Sequence, residues 1–247
     1  MPGKNTPKIF ARKPVVWVVG ASRGIGREIA LQFSFLGLNV CCSGRNRRAL
    51  AATVDNISRL GGNAFSFPCD VTDHRSVRLA AAAIRKRVGE VDILVNNAGV
   101  TVFKSFMETG EMEFSNILAT NLLGPVYCIK AVLPSMMKRK KGWIINILSN
   151  AAIKVFEGST AYTASKAGML GLSRVLREEL RFSRVKVMSV IPGATATTMW
   201  SGSDLRKFAR RMMSAKGVAE AVVAAYSMPD DVVVDEILLR PLQGDID

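Results

Sequence analysis

Three glycines separate a short apolar run from the first amphipathic segment of the chain. Val15–Val19 contains four valines and a tryptophan, which is typical of a buried strand. Gly20, Gly24 and Gly26 follow directly, and Gly26–Leu36 places its apolar side chains on one helical face. Glycines let a backbone turn sharply and approach a pyrophosphate, while a helix N-terminus supplies free N–H groups. The segment therefore predicts a strand, a phosphate-binding loop and a helix in that order.

Apolar runs of strand length alternate with helix-periodic segments along the rest of the chain. The predicted strands are Val15–Val19, Val40–Ser43, Ala64–Cys69, Ile93–Val95, Trp143–Ile147, Val185–Val190 and Ile237–Leu239. The predicted helices are Gly26–Leu36, Arg47–Leu60, Asp73–Val88, Glu111–Lys138 and Thr160–Phe182. Pro134 is expected to end or kink the long helix. Continuously apolar strands indicate burial on both faces, so the pattern predicts an α/β fold with a doubly wound, seven-stranded parallel sheet flanked by helices.

The charge of the chain is strongly positive. Lys and Arg total 34 against 20 Asp and Glu, a formal charge of +14. Residues 1–13 carry several cations and no acid, and we interpret them as a basic N-terminal arm before a single domain over 14–247. Nucleic acid, an anionic membrane and phosphate-bearing small molecules are the partner classes that such charge raises. No nucleic-acid signature accompanies it, and polar residues interrupt the uncharged runs, so we expect no specific nucleic acid and no membrane span.

The cysteines and the single histidine exclude other kinds of site. The cysteines lie in apolar stretches without a CxxC pair, which favours buried reduced thiols in a reducing compartment; they are Cys41, Cys42, Cys69 and Cys128. The N-terminal tail lacks an apolar signal core, so a cytoplasmic location is expected. With only His74 and no acid cluster, neither a metal site nor a Ser-His-Asp triad can be built.

The glycine spacing, G-x-x-x-G-x-G, resembles that of the classical short-chain dehydrogenase/reductase family. About 20 residues beyond such a loop, an acidic residue binds the 2′-hydroxyl of NAD. This chain has Ser43, Gly44, Arg45 and Asn46 there instead. The planar guanidinium of Arg45 can bind the 2′-phosphate of NADP, with Arg23 flanking it. The alternative is two exposed surface arginines. The sequence therefore predicts NADP(H) as the cofactor.

Tyr162 and Lys166 lie four residues apart on a predicted helix, on one face. A phenol ionises with a pKa near 10, and a nearby ammonium lowers that pKa. Such a pair can act as a general acid–base. The spacing alone is common by chance, but Ser149 closes the fifth strand thirteen residues earlier, at the edge where parallel sheets bind ligands.

Six ordered matches across residues 19–198 carry the resemblance to the short-chain dehydrogenase/reductase family and imply a Rossmann fold. Beside the glycine loop and the Ser-Tyr-Lys set they include Asn96–Gly99, Asn121 and Pro192–Thr197. The resemblance implies that Ser149 binds the substrate carbonyl, that Tyr162 exchanges the proton, and that Lys166 holds the nicotinamide ribose and lowers the Tyr162 pKa. It also implies that Asn121 positions a water in the proton relay; the alternative is an asparagine that kinks its helix.

The resemblance also implies which residues bind the cofactor and the substrate. The cofactor set is Gly20, Ser22, Arg23, Gly24, Ile25, Gly26, Arg45, Asn46, Asp70, Val71, Asn97, Ala98, Gly99, Tyr162, Lys166, Pro192, Gly193, Thr195 and Thr197. Asp70 is alternatively a helix cap. A short substrate lid is expected at about 198–216, and the candidate pocket residues are Ala151, Phe156, Met199 and Trp200.

These features predict an NADP(H)-dependent oxidoreductase that reduces a ketone or aldehyde to an alcohol. One alternative is a 3-oxoacyl-thioester reductase of the acyl-carrier-protein type, although the ending Ile237–Gly244 lacks the Asp-Gly-Gly of many such enzymes. That ending looks more like carbonyl, 3-hydroxy acid or sepiapterin-type reductases. Another alternative is a catalytically silent protein that senses NADP. The resemblance further implies a homodimer or homotetramer, paired through the helices at 111–138 and 160–182.

Overall fold

The computed structural model describes residues 12–246, so residues 1–11 of the predicted basic arm lie outside the described residues. The strands are β1 (Val15–Val19), β2 (Asn39–Ser43), β3 (Asn63–Ser66), β4 (Ile93–Asn96), β5 (Gly142–Ile147), β6 (Val185–Pro192), β7 (Thr195–Ala196), β8 (Met213–Ser214) and β9 (Glu236–Leu239). Seven of them form one parallel sheet in the order β3-β2-β1-β4-β5-β6-β9, whereas β7 and β8 pair separately. The predicted seven-stranded parallel sheet is confirmed.

Helices cover both faces of the sheet. They are α1 (Gly24–Phe35), α2 (Arg47–Arg59), α3 (His74–Arg87), α4 (Glu111–Leu118), α5 (Gly124–Arg139), α6 (Thr160–Leu180), α7 (Gly202–Phe208) and α8 (Ala215–Tyr226). One core cluster packs α3, α5 and α6 against the sheet, and the other packs α1, α2 and α8 against its opposite face. Adjacent strand residues alternate between the two clusters, as Cys41 and Cys42 do, and all four cysteines are buried free thiols.

The long predicted helix at 111–138 is interrupted, but not at its proline. A π-helical turn at Ala119–Leu123 separates α4 from α5. Pro134 lies inside α5, which continues to Arg139, so the prediction that it ends the helix is wrong. Pro134 is exposed, and water can satisfy the carbonyl that loses its N–H partner there.

The same stretch bears on the expectation of no membrane span. By length and composition alone, Glu111–Arg139 could cross a membrane, with a mean hydropathy of 1.4 and 44% of its most apolar window buried inside the protein. Its α5 side chains Cys128, Ile129 and Val132 belong to the core beneath the sheet. A core helix passes the same test, so this stretch is weak evidence for a span.

A buried hydrogen-bond network ties the three strands β1, β2 and β3 to the glycine loop. The indole N–H of Trp17 donates to Ser43 Oγ at 2.8 Å, and that hydroxyl donates to the Phe67 carbonyl at 2.6 Å. The Ser43 carbonyl accepts the N–H groups of Gly20 at 2.8 Å and Ala21 at 3.0 Å. Ser43 therefore fixes the start of the loop relative to the sheet.

We expect Ser43→Ala to lower the free energy of unfolding by about 1–3 kcal/mol, because the buried Trp17 N–H and Phe67 carbonyl lose their partner. Urea denaturation at equilibrium measures this, with the exposed Ser58→Ala on α2 as the matched control. Equal stability of the two variants would show that the network does not hold the strands together.

Candidate active site

The carboxyl ends of β1, β4, β5 and β6 lie side by side at one edge of the sheet. Each strand is followed there by a segment that the sequence analysis singled out: the glycine loop, Asn97–Gly99, Ser149 and Gly193. In a parallel sheet, side chains that follow neighbouring strands converge at one edge. The topology therefore brings the predicted site residues together.

The glycine loop is packed too tightly for side chains. A Cβ on Gly26 would lie 2.3 Å from both Asn97 Nδ2 and the Gly20 carbonyl oxygen, and Asn97 Nδ2 donates to that oxygen at 2.9 Å. Gly20 has a φ of +86°, in the left-handed region, and its Cβ would lie 2.7 Å from the Ala98 nitrogen. Helix α1 begins at Gly24 with no side-chain cap and no acid in its first turn. Such an end is suited to an anion.

A cleft of about 190 Å³ opens over this loop. The predicted cofactor residues that line it are Gly20, Ser22, Arg23, Gly24, Ile25, Arg45, Asp70, Val71, Asn97, Ala98, Gly99 and Thr197. The cleft is also lined by residues that the sequence analysis did not single out, namely Val19, Gly44, Cys69, Val100, Thr120 and Thr198, and by Met199. Most of these residues directly adjoin predicted cofactor residues. Their positions at the ends of the strands could therefore have indicated them from the sequence.

Other predicted cofactor residues have structural partners outside the lining of this cleft. Asn46 caps α2, its side-chain oxygen accepting the Ala49 N–H at 3.0 Å. The Gly193 N–H donates to the Leu239 carbonyl at 2.8 Å, and the Thr195 hydroxyl donates to the Gly193 carbonyl at 3.0 Å. With Pro192 at the end of β6, these two residues shape the turn after that strand.

Lys166 and Tyr162 lie buried on α6, beside this edge. The Lys166 ammonium donates to the Ile147 carbonyl at 3.0 Å and lies 5.6 Å from the centre of the Tyr162 ring. It is also 3.7 Å from where a Cβ on Gly99 would stand, which connects it to the cleft. Burial lowers the pKa of Lys166 to about 8. The ammonium is thus held close to the tyrosine in a dry environment.

The ionisation of Tyr162 differs from the expectation that its pKa is lowered. Burial raises the pKa of the phenol above its ordinary value, and a hydrogen bond with Ser149 opposes this only in part. In the protein without a cofactor, Lys166 therefore does not lower the pKa of Tyr162 below its ordinary value, contrary to that expectation. The cost of burying a phenolate outweighs its stabilisation, and this cost depends on tertiary packing that residue spacing does not reveal.

Ser149 is held by its neighbours on the chain. Its hydroxyl donates to Asn150 Oδ1 at 3.2 Å and accepts the Ala151 N–H at 3.2 Å. It also lies close enough to the Tyr162 phenol to oppose in part the rise in the pKa of that group. The serine therefore stands directly beside the phenol, as predicted from their positions on β5 and α6.

Asn121 lies in the π-helical turn with its side chain fully engaged. Its Oδ1 accepts the Val100 N–H at 2.9 Å, and its Nδ2 donates to the Val100 carbonyl at 2.8 Å and to Ser165 Oγ at 3.0 Å. The side chain thus ties the β4–α4 loop to α6, which agrees with the structural alternative.

The open side of the site is apolar. Trp200 stacks on Phe103 with ring centres 6.4 Å apart and planes at 23°. Met199 is partly exposed, and Phe156 lies under the Lys154 ammonium at 5.3 Å. Ala151 is buried, and the exposed apolar residues nearby in sequence are Phe106, Met107, Ile153 and Val155. Within residues 12–246, no cluster of three His, Cys, Asp or Glu side chains could hold a metal ion.

We expect Lys166→Met to raise the free energy of unfolding near pH 7 by about 1–3 kcal/mol, without cofactor. The folded pKa of Lys166, about 8, lies below the unfolded value, so the buried ammonium destabilises the fold at neutral pH. The unfolded chain binds the extra proton between about pH 8 and 10, so the wild type gains stability relative to the variant as pH rises through that window.

Urea denaturation at about pH 7 and 9.5 measures both effects, with the exposed Lys138→Met as the control. A Lys166→Met protein that is less stable than wild type at neutral pH would contradict the assignment of a destabilising buried charge.

Known proteins resemble this chain over most of its length. The model of the family described as short chain dehydrogenase matches residues 14–207. A sepiapterin reductase from Chlorobaculum tepidum is 35% identical over 241 residues, covering 95% of this chain and 98% of that protein. A 3-oxoacyl-[acyl-carrier-protein] reductase from Staphylococcus epidermidis is 36% identical over 183 residues, covering 74% and 75%.

The fold also matches solved structures. A metagenomic short-chain oxidoreductase in complex with NADP superposes with a TM-score of 0.82 at 33% identity, covering 92% of this chain and 96% of that one.

Proposed function

The chain belongs to the short-chain dehydrogenase family, and from that premise we propose that it is an NADP(H)-dependent oxidoreductase that reduces a ketone or aldehyde to an alcohol. The observation that carries the proposal is the buried contact of Ser149 with Tyr162, beside the Lys166 ammonium, at the edge of the glycine-loop cleft. A general acid, a carbonyl-binding hydroxyl and an anion-binding loop in one place suit carbonyl reduction.

The described residues fit NADP. The uncapped first turn of α1 and the close-packed glycines suit a pyrophosphate. Arg23 and Arg45 are exposed and line the same cleft, where they would bind the 2′-phosphate, and no carboxylate stands at the end of β2 to repel it. The metagenomic relative binds NADP, which supports the assignment. Asp70 and Val71 would contact the adenine, Asn97 and Gly99 would line the cofactor, and Thr197 would meet the nicotinamide end.

The protein's part in the reaction is positioning and proton transfer. The reduced nicotinamide supplies a hydride to the carbonyl carbon when it is bound. The Ser149 hydroxyl donates a hydrogen bond to the carbonyl oxygen, and Tyr162 gives that oxygen its proton. Lys166 holds the ribose and stabilises the phenolate left on Tyr162, which takes a proton from solvent before the next turnover.

The apolar open side of the site, which includes Phe103, Met199 and Trp200, favours a carbonyl attached to an apolar or aromatic group. We place the lid at 198–216, with Met199 and Trp200 on it and Ala151 and Phe156 opposite. The relative described as a sepiapterin reductase matches this chain over nearly its whole length, whereas the 3-oxoacyl-[acyl-carrier-protein] reductase matches about three quarters. This difference supports a small-molecule ketone over an acyl thioester.

We also propose how the chain assembles and where it is located. Met112 on α4 and Val175 on α6 are largely exposed, at 74% and 60%, which supports pairing of these helices in a homodimer or homotetramer. The buried free thiols are compatible with a reducing compartment such as the cytoplasm. We further propose that residues 14–247 form a single domain preceded by the basic arm at 1–13.

We expect Arg45→Asp to weaken NADP binding roughly ten- to a hundredfold and to shift the preference towards NAD, because a charge-assisted contact of about 1.5–3 kcal/mol is replaced by repulsion. Titration calorimetry with both cofactors measures this, with the exposed Arg48→Asp on α2 as control. Unchanged NADP affinity in Arg45→Asp would place the 2′-phosphate elsewhere.

We expect Tyr162→Phe to lower kcat by about 10²–10⁴, because the variant keeps the ring but loses the proton donor. NADPH oxidation with a panel of ketones, acyl thioesters and pterins measures turnover, and NADPH binding should persist. Tyr127→Phe on α5 is the matched control. Full turnover in Tyr162→Phe, or no turnover of any carbonyl by the wild type, would favour the catalytically silent, NADP-sensing alternative.

A further inference from the structure

The C-terminal tail returns to the active-site edge and buries a carboxylate there. The Asp245 side chain is only 9% exposed, and the next residue, Ile246, is 8% exposed. Asp245 Oδ1 lies 3.4 Å from where a Cβ on Gly193 would stand, next to the turn after β6. A carboxylate buried to this degree requires partners that repay its lost hydration.

Its partners belong to the segment that carries Ser149. Asp245 Oδ1 accepts a hydrogen bond from Asn150 Nδ2 at 3.0 Å, and Oδ2 accepts one from the Lys154 ammonium at 3.2 Å. The other end of the same amide, Asn150 Oδ1, accepts the Ser149 hydroxyl at 3.2 Å. A continuous chain of hydrogen bonds thus connects the tail, through Asn150, to Ser149, which lies beside Tyr162.

We propose that Asp245 is a positioning residue that fixes the Asn150 amide and thereby the direction of the Ser149 hydroxyl. This inference rests on the proposed function, in which Ser149 and Tyr162 contact the substrate carbonyl. A carboxylate only accepts hydrogen bonds, so it binds the NH₂ end of the amide and turns the oxygen end towards Ser149.

The direction of the Asn150 amide determines which hydroxyl at the site donates a hydrogen bond and which accepts one. With Asn150 Oδ1 facing it, Ser149 donates its one proton to that oxygen and accepts from Ala151. Its second lone pair is then left to accept from the Tyr162 hydroxyl. An arriving carbonyl oxygen takes the Ser149 proton in place of Asn150, and the Tyr162 proton remains available for donation. With the amide reversed, Ser149 would accept from Asn150 and Ala151 and direct its proton at Tyr162, so the phenol would become an acceptor.

The isosteric variant Asp245→Asn tests this directly. Lys154 would attract the oxygen of the new amide, so its NH₂ group would face Asn150 and turn that amide around. We expect kcat for ketone reduction at saturating NADPH to fall by about tenfold or more, as expected when a reacting group is misplaced. The KM for the ketone and the NADPH dissociation constant should stay within about twofold, while Asp245→Glu should recover part of kcat. The exposed Asp55→Asn on α2 is the matched control, since it makes the same substitution away from this chain of hydrogen bonds.

A double-mutant cycle separates positioning from a merely structural role. Asp245→Ala should also lower kcat, but it should have less than about a twofold further effect in an Asn150→Ala background, since both act through one chain. A kcat in Asp245→Asn and Asp245→Ala equal to wild type, or fully additive losses in the cycle, would overturn the proposal. A lowered Tm with unchanged kcat per NADPH-binding site would also overturn it.

Failure of this inference is distinguishable from failure of the proposed function. If Tyr162→Phe loses turnover while both Asp245 variants retain it, only the positioning role is wrong. If the wild type reduces no carbonyl, the proposed function is wrong as well.

Discussion

The site depends on the burial of one cation. Lys166 is 5% exposed, and its ammonium donates to the carbonyl of Ile147 at the end of β5. Burial lowers the pKa of this lysine to about 8 and raises the pKa of the adjacent Tyr162, so burial disfavours the charged form of both groups. The charged forms of Lys166 and Tyr162 would then be stabilised by a bound ligand. A phosphate-bearing cofactor would bind for this purpose in the cleft beside Gly99.

The sheet makes this arrangement possible by ending its central strands at one edge. The segments that follow β1 and β4 pack so closely that a Cβ on Gly26 would lie 2.3 Å from Asn97 Nδ2. The Ser43 carbonyl holds the loop from the other side through the Gly20 and Ala21 N–H groups. The cofactor end of the site is therefore rigid, whereas the substrate end is built from loops and from an exposed aromatic pair, Phe103 and Trp200. Substrate choice would depend on that second, looser part.

The fold was largely predictable because its signals are local. Strands buried on both faces are continuously apolar, and a glycine loop between a strand and a helix has few other uses. The sequence indicated two places where the long helix could break, Pro134 and Asn121, and could not decide between them, because Asn121 bonds to Val100 across the fold and Pro134 is exposed. The raised pKa of Tyr162 was missed because desolvation depends on packing. The contact of Asn150 with Asp245 joins residues 95 positions apart, and no spacing rule indicates it.

The central claim is that a buried ammonium controls the protonation of the Tyr162 phenol during catalysis. The most direct measurement is the pH dependence of kcat for alcohol oxidation at saturating NADP⁺, in the wild type and in Lys166→Met. We expect the wild-type rate to rise with a pKa below about 10, and the limiting pKa to move upwards in Lys166→Met, because the phenolate loses its cationic neighbour. The same limiting pKa in both proteins would contradict the claim.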